Sequence, residues 1–139
     1  MVQLMLENQY LNLNEIVLNG VNASWIASYG NQFNIMVDIY EASKARNRQI
    51  DLNAKNKEGI NALHLSAYYD HDINITKFYS SPDLDFDINS GTLNGYSPLC
   101  IAVIRNNQNH VKELLHAEKC NPNVATNRGI TPLYVATKK

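Results

Sequence analysis

Gly129-Ile130-Thr131-Pro132-Leu133-Tyr134-Val135-Ala136 has a near copy upstream, Gly95-Tyr96-Ser97-Pro98-Leu99-Cys100-Ile101-Ala102. In both, a glycine able to adopt a left-handed turn is followed two residues later by a hydroxyl side chain and then by proline. Ser or Thr can accept a hydrogen bond from the free amides of a first helical turn. Proline suits the first helical position because its missing N–H has no intrahelical acceptor there. The pattern therefore predicts a turn and then a helix beginning at Pro98 and again at Pro132. Two more worn copies lie further out, Gly59-Ile60-Asn61-Ala62-Leu63-His64-Leu65-Ser66 and Gly20-Val21-Asn22-Ala23-Ser24-Trp25-Ile26-Ala27. An asparagine stands six residues before each glycine, at Asn14, Asn53, Asn89 and Asn123, and successive glycines are 39, 36 and 34 residues apart. A period in this range marks an array of stacked units.

Within each predicted first helix a small residue recurs at one register, Ala27, Ser66, Ala102 and Ala136, which lets neighbouring helices approach closely. An apolar segment with helical spacing follows the first three, at 33–40, 73–79 and 111–115, so each unit reads as a pair of helices. The joints Asp51-Leu52-Asn53-Ala54, Asp87-Ile88-Asn89-Ser90 and Asn121-Pro122-Asn123-Val124 are polar and turn-prone, and Asn-Gly at 19–20 and 94–95 marks hairpin tips. The connection from Tyr79 to Asn89 is longer than its counterparts. The basic run Lys44-Ala45-Arg46-Asn47-Arg48 is expected to extend the second helix of its unit, with cations favoured at the helix C-terminus.

These residues resemble the ankyrin repeat, whose signature is G-x-T-P-L-H-x-A, then V-x-x-L-L, then D-x-N-A. Gly129 to Ala136 and Gly95 to Ala102 are close matches, and Val111-Lys112-Glu113-Leu114-Leu115 and Asp51-Leu52-Asn53-Ala54 add to them. The first unit departs, with Ser24 in the leucine place and Trp25 in the histidine place. The resemblance implies an all-α solenoid of stacked helix-turn-helix units joined by short hairpin loops. It forms one domain over 1–139: a partial repeat 1–16, repeats at about 17–55, 56–91 and 92–125, and a partial repeat 126–139. Val2-Gln3-Leu4-Met5-Leu6 aligns with the second helix of a unit, and Thr131 to Lys139 with a first helix alone. The array is therefore expected either to continue or to offer Leu133 and Val135 to another surface.

The family resemblance further implies a protein–protein interaction module, docking a partner on its concave face and hairpin tips. The residue after each turn glycine, usually solvent-facing on such a hairpin, is Val21, Ile60, Tyr96 or Ile130. Tyr29, Tyr68, Tyr69, Ile104 and Arg105 stand where the first helices end toward the concave face. Tyrosine and arginine are over-represented among interface hot spots, and contiguous exposed apolar surface marks binding sites. These nine residues are the expected partner-binding set. The alternative is a substrate-recruiting segment of a larger enzyme or of a secreted bacterial effector.

Composition narrows the remaining classes. Twelve Lys and Arg against thirteen Asp and Glu, a net charge of -1 and a pI near 6.4 leave no footprint for nucleic acid or an anionic membrane. Two cysteines, Cys100 and Cys120, form no C-x-x-C pair and point to an intracellular, cytoplasmic setting, or the host cytosol if the protein is a secreted effector. The 20 asparagines suit caps and turns. Asp83-Leu84-Asp85-Phe86-Asp87 alternates carboxylates like a calcium loop, but Ile88 replaces the turn glycine and Asn94 the closing glutamate. A polar loop with Leu84 and Phe86 tucked inward is expected instead. His110, His116 and Cys120 lack the close spacing of metal ligands, and the two histidines are read as surface groups. Cys100 occupies the signature-histidine place of its helix and is read as packing rather than as a nucleophile. His64, in that place in its own unit, is expected to hydrogen-bond the hairpin loop. The sequons at Asn22 and Asn74 are chance matches in an Asn-rich chain. No mutually supporting catalytic set emerges, so neither enzyme activity, cofactor, metal nor small-molecule substrate is expected, and the chain is expected to be monomeric.

Overall fold

Turn glycines and helix caps divide the chain into short helices of similar length. The computed structural model describes residues 23–47 and 51–138, with side chains from Trp25 onward. Its helices are α1 (Ala23–Tyr29), α2 (Phe33–Ala45), α3 (Ala62–Tyr69), α4 (Ile73–Tyr79), α5 (Pro98–Ile104), α6 (Gln108–His116) and α7 (Pro132–Lys138), and no strand occurs among the described residues. The odd-numbered helices form an inner row in which α1 packs on α3, α3 on α5 and α5 on α7. The even-numbered ones form an outer row, α2 against α1, α4 against α3, α6 against α5, with α4 also packed on α6. The result is an all-α repeat fold.

The starts of the inner helices follow the capping residues. Asn61 Oδ1 accepts the His64 N–H at 2.9 Å while His64 Nδ1 accepts the Asn61 N–H at 3.0 Å, a reciprocal capping box. Ser97 Oγ accepts the Cys100 N–H at 3.2 Å, and Thr131 Oγ1 accepts the Tyr134 N–H at 3.2 Å. Soon after each of the first three inner helices comes a residue with left-handed backbone, Asn31 (φ 57°), Asp70 (φ 53°) and Asn106 (φ 59°), which reverses the chain into the outer helix. Asn and Asp tolerate this conformation better than other side chains. The same device corrects one expectation: α2 ends at Ala45, and Asn47 with φ 55° stops helical propagation. The basic run therefore leaves the helix after Lys44-Ala45, and Arg48 lies outside the described residues.

The core runs between the two rows. Met36, Leu63, Ile75, Tyr79 and Leu114 are fully buried, and Ala27, Ala67 and Ala102 let the inner helices approach. A buried Leu or Ile contributes about 1.5–3 kcal/mol relative to exposure, so these five positions outweigh anything on the surface. The longer connection after α4 turns Leu84, Phe86 and Ile88 inward as expected for the first two, and the Phe86 ring lies 4.6 Å from that of Tyr79.

Backbone and amide hydrogen bonds stitch the units along their edges. Gly59, Gly95 and Gly129 take φ of 76°, 85° and 79° at the hairpin tips. The Leu93 N–H donates to Glu58 O at 3.1 Å and the Asn127 N–H to Asn94 O at 3.0 Å, joining one tip to the next. At the opposite edge, the Asn53 amide donates to Asp85 O at 3.0 Å and accepts from the Asp87 N–H at 3.0 Å. One unit later the Asn89 amide clamps Lys119 O at 2.7 Å and the Asn121 N–H at 2.7 Å.

Candidate protein-docking face

Because the inner helices stack side by side, their C-terminal residues fall in one row. Tyr29 ends α1, Tyr68 and Tyr69 end α3, and Ile104 and Arg105 close α5. The Tyr29 ring lies 5.7 Å from Trp25 and 5.8 Å from Tyr69, and Tyr69 lies 4.8 Å from Tyr68 in an edge-on arrangement. The Arg105 guanidinium carbon sits 4.4 Å above the Tyr68 ring while its Nε donates to Tyr68 O at 3.2 Å. His71 stacks on the far side of Tyr69 at 5.4 Å. An aromatic strip capped by a cation thus crosses three units. Tyr68 remains 44% exposed, Tyr69 49% and Ile104 37%, and Arg105 is exposed, so this strip is held in place by ring contacts without being covered. Burial, followed by the neighbouring Tyr29, pushes the Tyr69 phenol above its ordinary value, so it stays a neutral donor at neutral pH.

The hairpin-edge residues are placed differently from expectation. Ile60, Tyr96 and Ile130 are half-buried rather than solvent-facing, and Val21 lies outside the described residues. Ile60 packs against the cluster formed by Trp25 and Leu65, and its carbonyl accepts the Trp25 indole N–H at 2.9 Å. These three side chains are therefore less open than Tyr68, Tyr69, Ile104 and Arg105 in the row of inner-helix ends.

A model of ankyrin repeats, in three copies, matches residues 25–125 and 72–139. The chain belongs to the ankyrin-repeat family. As a class, ankyrin repeats are protein–protein interaction modules and are typically non-catalytic. No curated protein matches the chain.

The ankyrin register explains what the histidine place does in each unit. In the α3 unit His64 Nδ1 is an acceptor, so Nε2 carries the proton and donates to Ser90 O at 2.7 Å, bridging to the next unit. Burial pushes its imidazole down to about 4, outweighing the upward pull of the Ser90 hydrogen bond. Trp25 also bridges to the next unit, but its indole N–H donates to Ile60 O, just after the turn glycine. Cys100 has only packing to offer there: it is fully buried and burial raises its thiol above the ordinary value.

His110 is not a surface group. It is fully buried, its Nδ1 2.8 Å from Thr76 Oγ1 and its Nε2 2.9 Å from His71 O and 3.2 Å from Asp70 Oδ1. Ser66 Oγ completes the chain 3.0 Å from Thr76 Oγ1. The hydroxyls and imidazole satisfy one another across the α4–α6 contact, which makes burying them tolerable. The signal for this network in the sequence is two polar residues, Ser66 and Thr76, at buried helical phases. His116 is exposed, and among the described residues no group of three or more His, Cys, Asp or Glu is placed to hold a metal ion. No described helix is long and apolar enough to cross a membrane.

Proposed function

We propose that this ankyrin domain docks a protein partner on the face made by the C-terminal ends of the inner helices, with Tyr29, Tyr68, Tyr69, Ile104 and Arg105 as anchors. The observation that carries the reading is the continuous aromatic strip, spanning three units and ending in a guanidinium, that stays partly exposed. Aromatic rings offer large contact area at little entropic cost, and arginine adds directional donors. The rings are already ordered by one another, so little side-chain freedom is left to lose on binding. The intracellular setting proposed with it rests on the two cysteines, which are free and not paired with each other.

The test is affinity capture with the full chain and two variants. Tyr69→Ala with Arg105→Ala should weaken the captured partner by about 1–2 kcal/mol per anchor, roughly 5- to 30-fold each. Lys77→Ala, on the exposed side of α4, should bind as the unaltered chain does. Equal capture by all three, with circular dichroism unchanged, places the partner on another surface.

A further inference from the structure

The described inner helices hold none of the chain's thirteen Asp and Glu. The described acids lie on the outer helices and the connections. Two of these flank the aromatic strip, and both are engaged elsewhere: Asp70 Oδ1 lies 3.2 Å from His110 Nε2, and the Asp72 side chain accepts the Asn74 N–H at 3.0 Å. Helix C-termini carry partial negative charge of their own. At the end of α3 that charge is covered, because Ala67 O accepts from Asn107 Nδ2 at 2.6 Å and Tyr68 O from Arg105 Nε at 3.2 Å.

The same Nε bond and the Tyr68 ring fix the plane of the Arg105 guanidinium. Among the described residues its two Nη atoms make no hydrogen bond or ion pair. A fixed, exposed fork of this kind matches a carboxylate in two parallel hydrogen bonds, and no acid of its own chain takes it. We propose that the partner supplies an extended acidic segment, with an Asp or Glu carboxylate on Arg105 and an apolar side chain against Tyr29 and Tyr69. This rests on the docking face proposed above and adds the chemistry of what docks there. Packed helices lie about 8–10 Å apart, so Tyr29 and Arg105, two inner helices from each other, are separated by roughly 16–20 Å. An extended chain covers that distance in about five or six residues. The strip itself carries one positive charge, Arg105, which balances one carboxylate. A phosphate bears about two negative charges at neutral pH and is held by clusters of arginine. A basic segment would meet the guanidinium as a like charge, so the arrangement also rejects partners.

The test is selection of random displayed peptides on the 139-residue chain, with affinities of the selected peptides read by fluorescence anisotropy. They should be enriched in Asp or Glu, with an apolar residue about five or six positions away, and should bind more weakly as salt rises. Arg105→Ala should lower their affinity at least about tenfold, with circular dichroism unchanged. Arg105→Lys keeps the charge without the planar fork and should recover only part of the loss. Arg105→Glu, put through the same selection, should enrich Lys or Arg in place of the acid. Peptides that require Tyr69 yet show no preference for acid, or that bind Arg105→Glu unchanged, overturn the acidic segment and leave the docking face standing. Peptides indifferent to both Tyr69→Ala and Arg105→Ala overturn both readings. A phosphotyrosine peptide that binds more tightly than its glutamate counterpart assigns the site to phosphate instead, and a selection that yields no binder also overturns the proposal.

Discussion

Leu99 and Leu133 share a place in successive units, a capping hydroxyl and a proline before each, yet one is enclosed and the other open. The same holds for Ala102 and Ala136 and for Gly95 and Gly129. Local sequence therefore decides that a helix begins at these residues, while the following unit decides whether its side chains are buried. In such an array stability is close to a sum of units and nearest-neighbour interfaces, and among the described residues α3 packs on an inner helix at each side while α7 packs on α5 alone.

Truncating the shared leucine gives the widest separation between the two regions. Leu99→Ala and Leu114→Ala should each cost about 2–5 kcal/mol, while Leu133→Ala, in dilute solution, should stay within about 0.5 kcal/mol. Urea midpoints that move equally for Leu99→Ala and Leu133→Ala break the comparison.

Acid should act next most strongly, through the middle of the stack. His64 titrates near 4 in the fold against an ordinary 6.5, so the unfolded chain takes up the proton first. Its contribution is complete above pH 6.5 and is lost as pH falls toward 4, by up to about 3 kcal/mol. Burial also lowers His71, which adds in the same direction. H64C, which gives the α3 unit the residue that the α5 unit carries, should flatten the dependence of the urea midpoint on pH between 7 and 4.5. An unchanged slope would assign the acid sensitivity to other groups.

The smallest difference expected lies in the turn glycines. Gly95 and Gly129 have similar positive φ, so alanine at either costs about 1 kcal/mol from left-handed backbone strain. At Gly95 the new Cβ would also lie 2.8 Å from the Asn127 backbone nitrogen, whereas at Gly129 nothing stands within 4 Å. Thermal melting should show Gly95→Ala as the more damaging of the two. Identical shifts would mean that the tips relax independently of their neighbours.

Much of this fold was legible in the sequence because glycine, cap and proline act over three or four residues. The starts of α3, α5 and α7 and the pairing of helices within units follow from them. The end of α2 was not, because Asn47 in a left-handed conformation leaves no composition signal distinct from the other asparagines. The candidate face was legible in part. Tyr29, Tyr68, Tyr69, Ile104 and Arg105 fall in one row because the helices have matched ends. Ile60, Tyr96 and Ile130 are half-buried instead of solvent-facing; Ile60 packs on Trp25 and Leu65, a contact between units of which spacing within one unit carries no record. Burial of His110 likewise depends on Ser66 and Thr76, brought to it by stacking.

The asparagine clamps bear on how such a protein can change over generations. Each holds a carbonyl and an N–H two residues apart in the following unit, close to the start of the next clamp. The translation between units is set there and at the tips, leaving the stretch between the end of an outer helix and the clamped carbonyl free to vary. The glycine spacings shorten from 36 to 34 over the last two units, and the clamp steps shorten by the same two residues, so the difference lies between the end of the outer helix and the clamped carbonyl. Insertions and deletions can accumulate in those stretches as neutral variation, with the pitch of the array inherited unchanged.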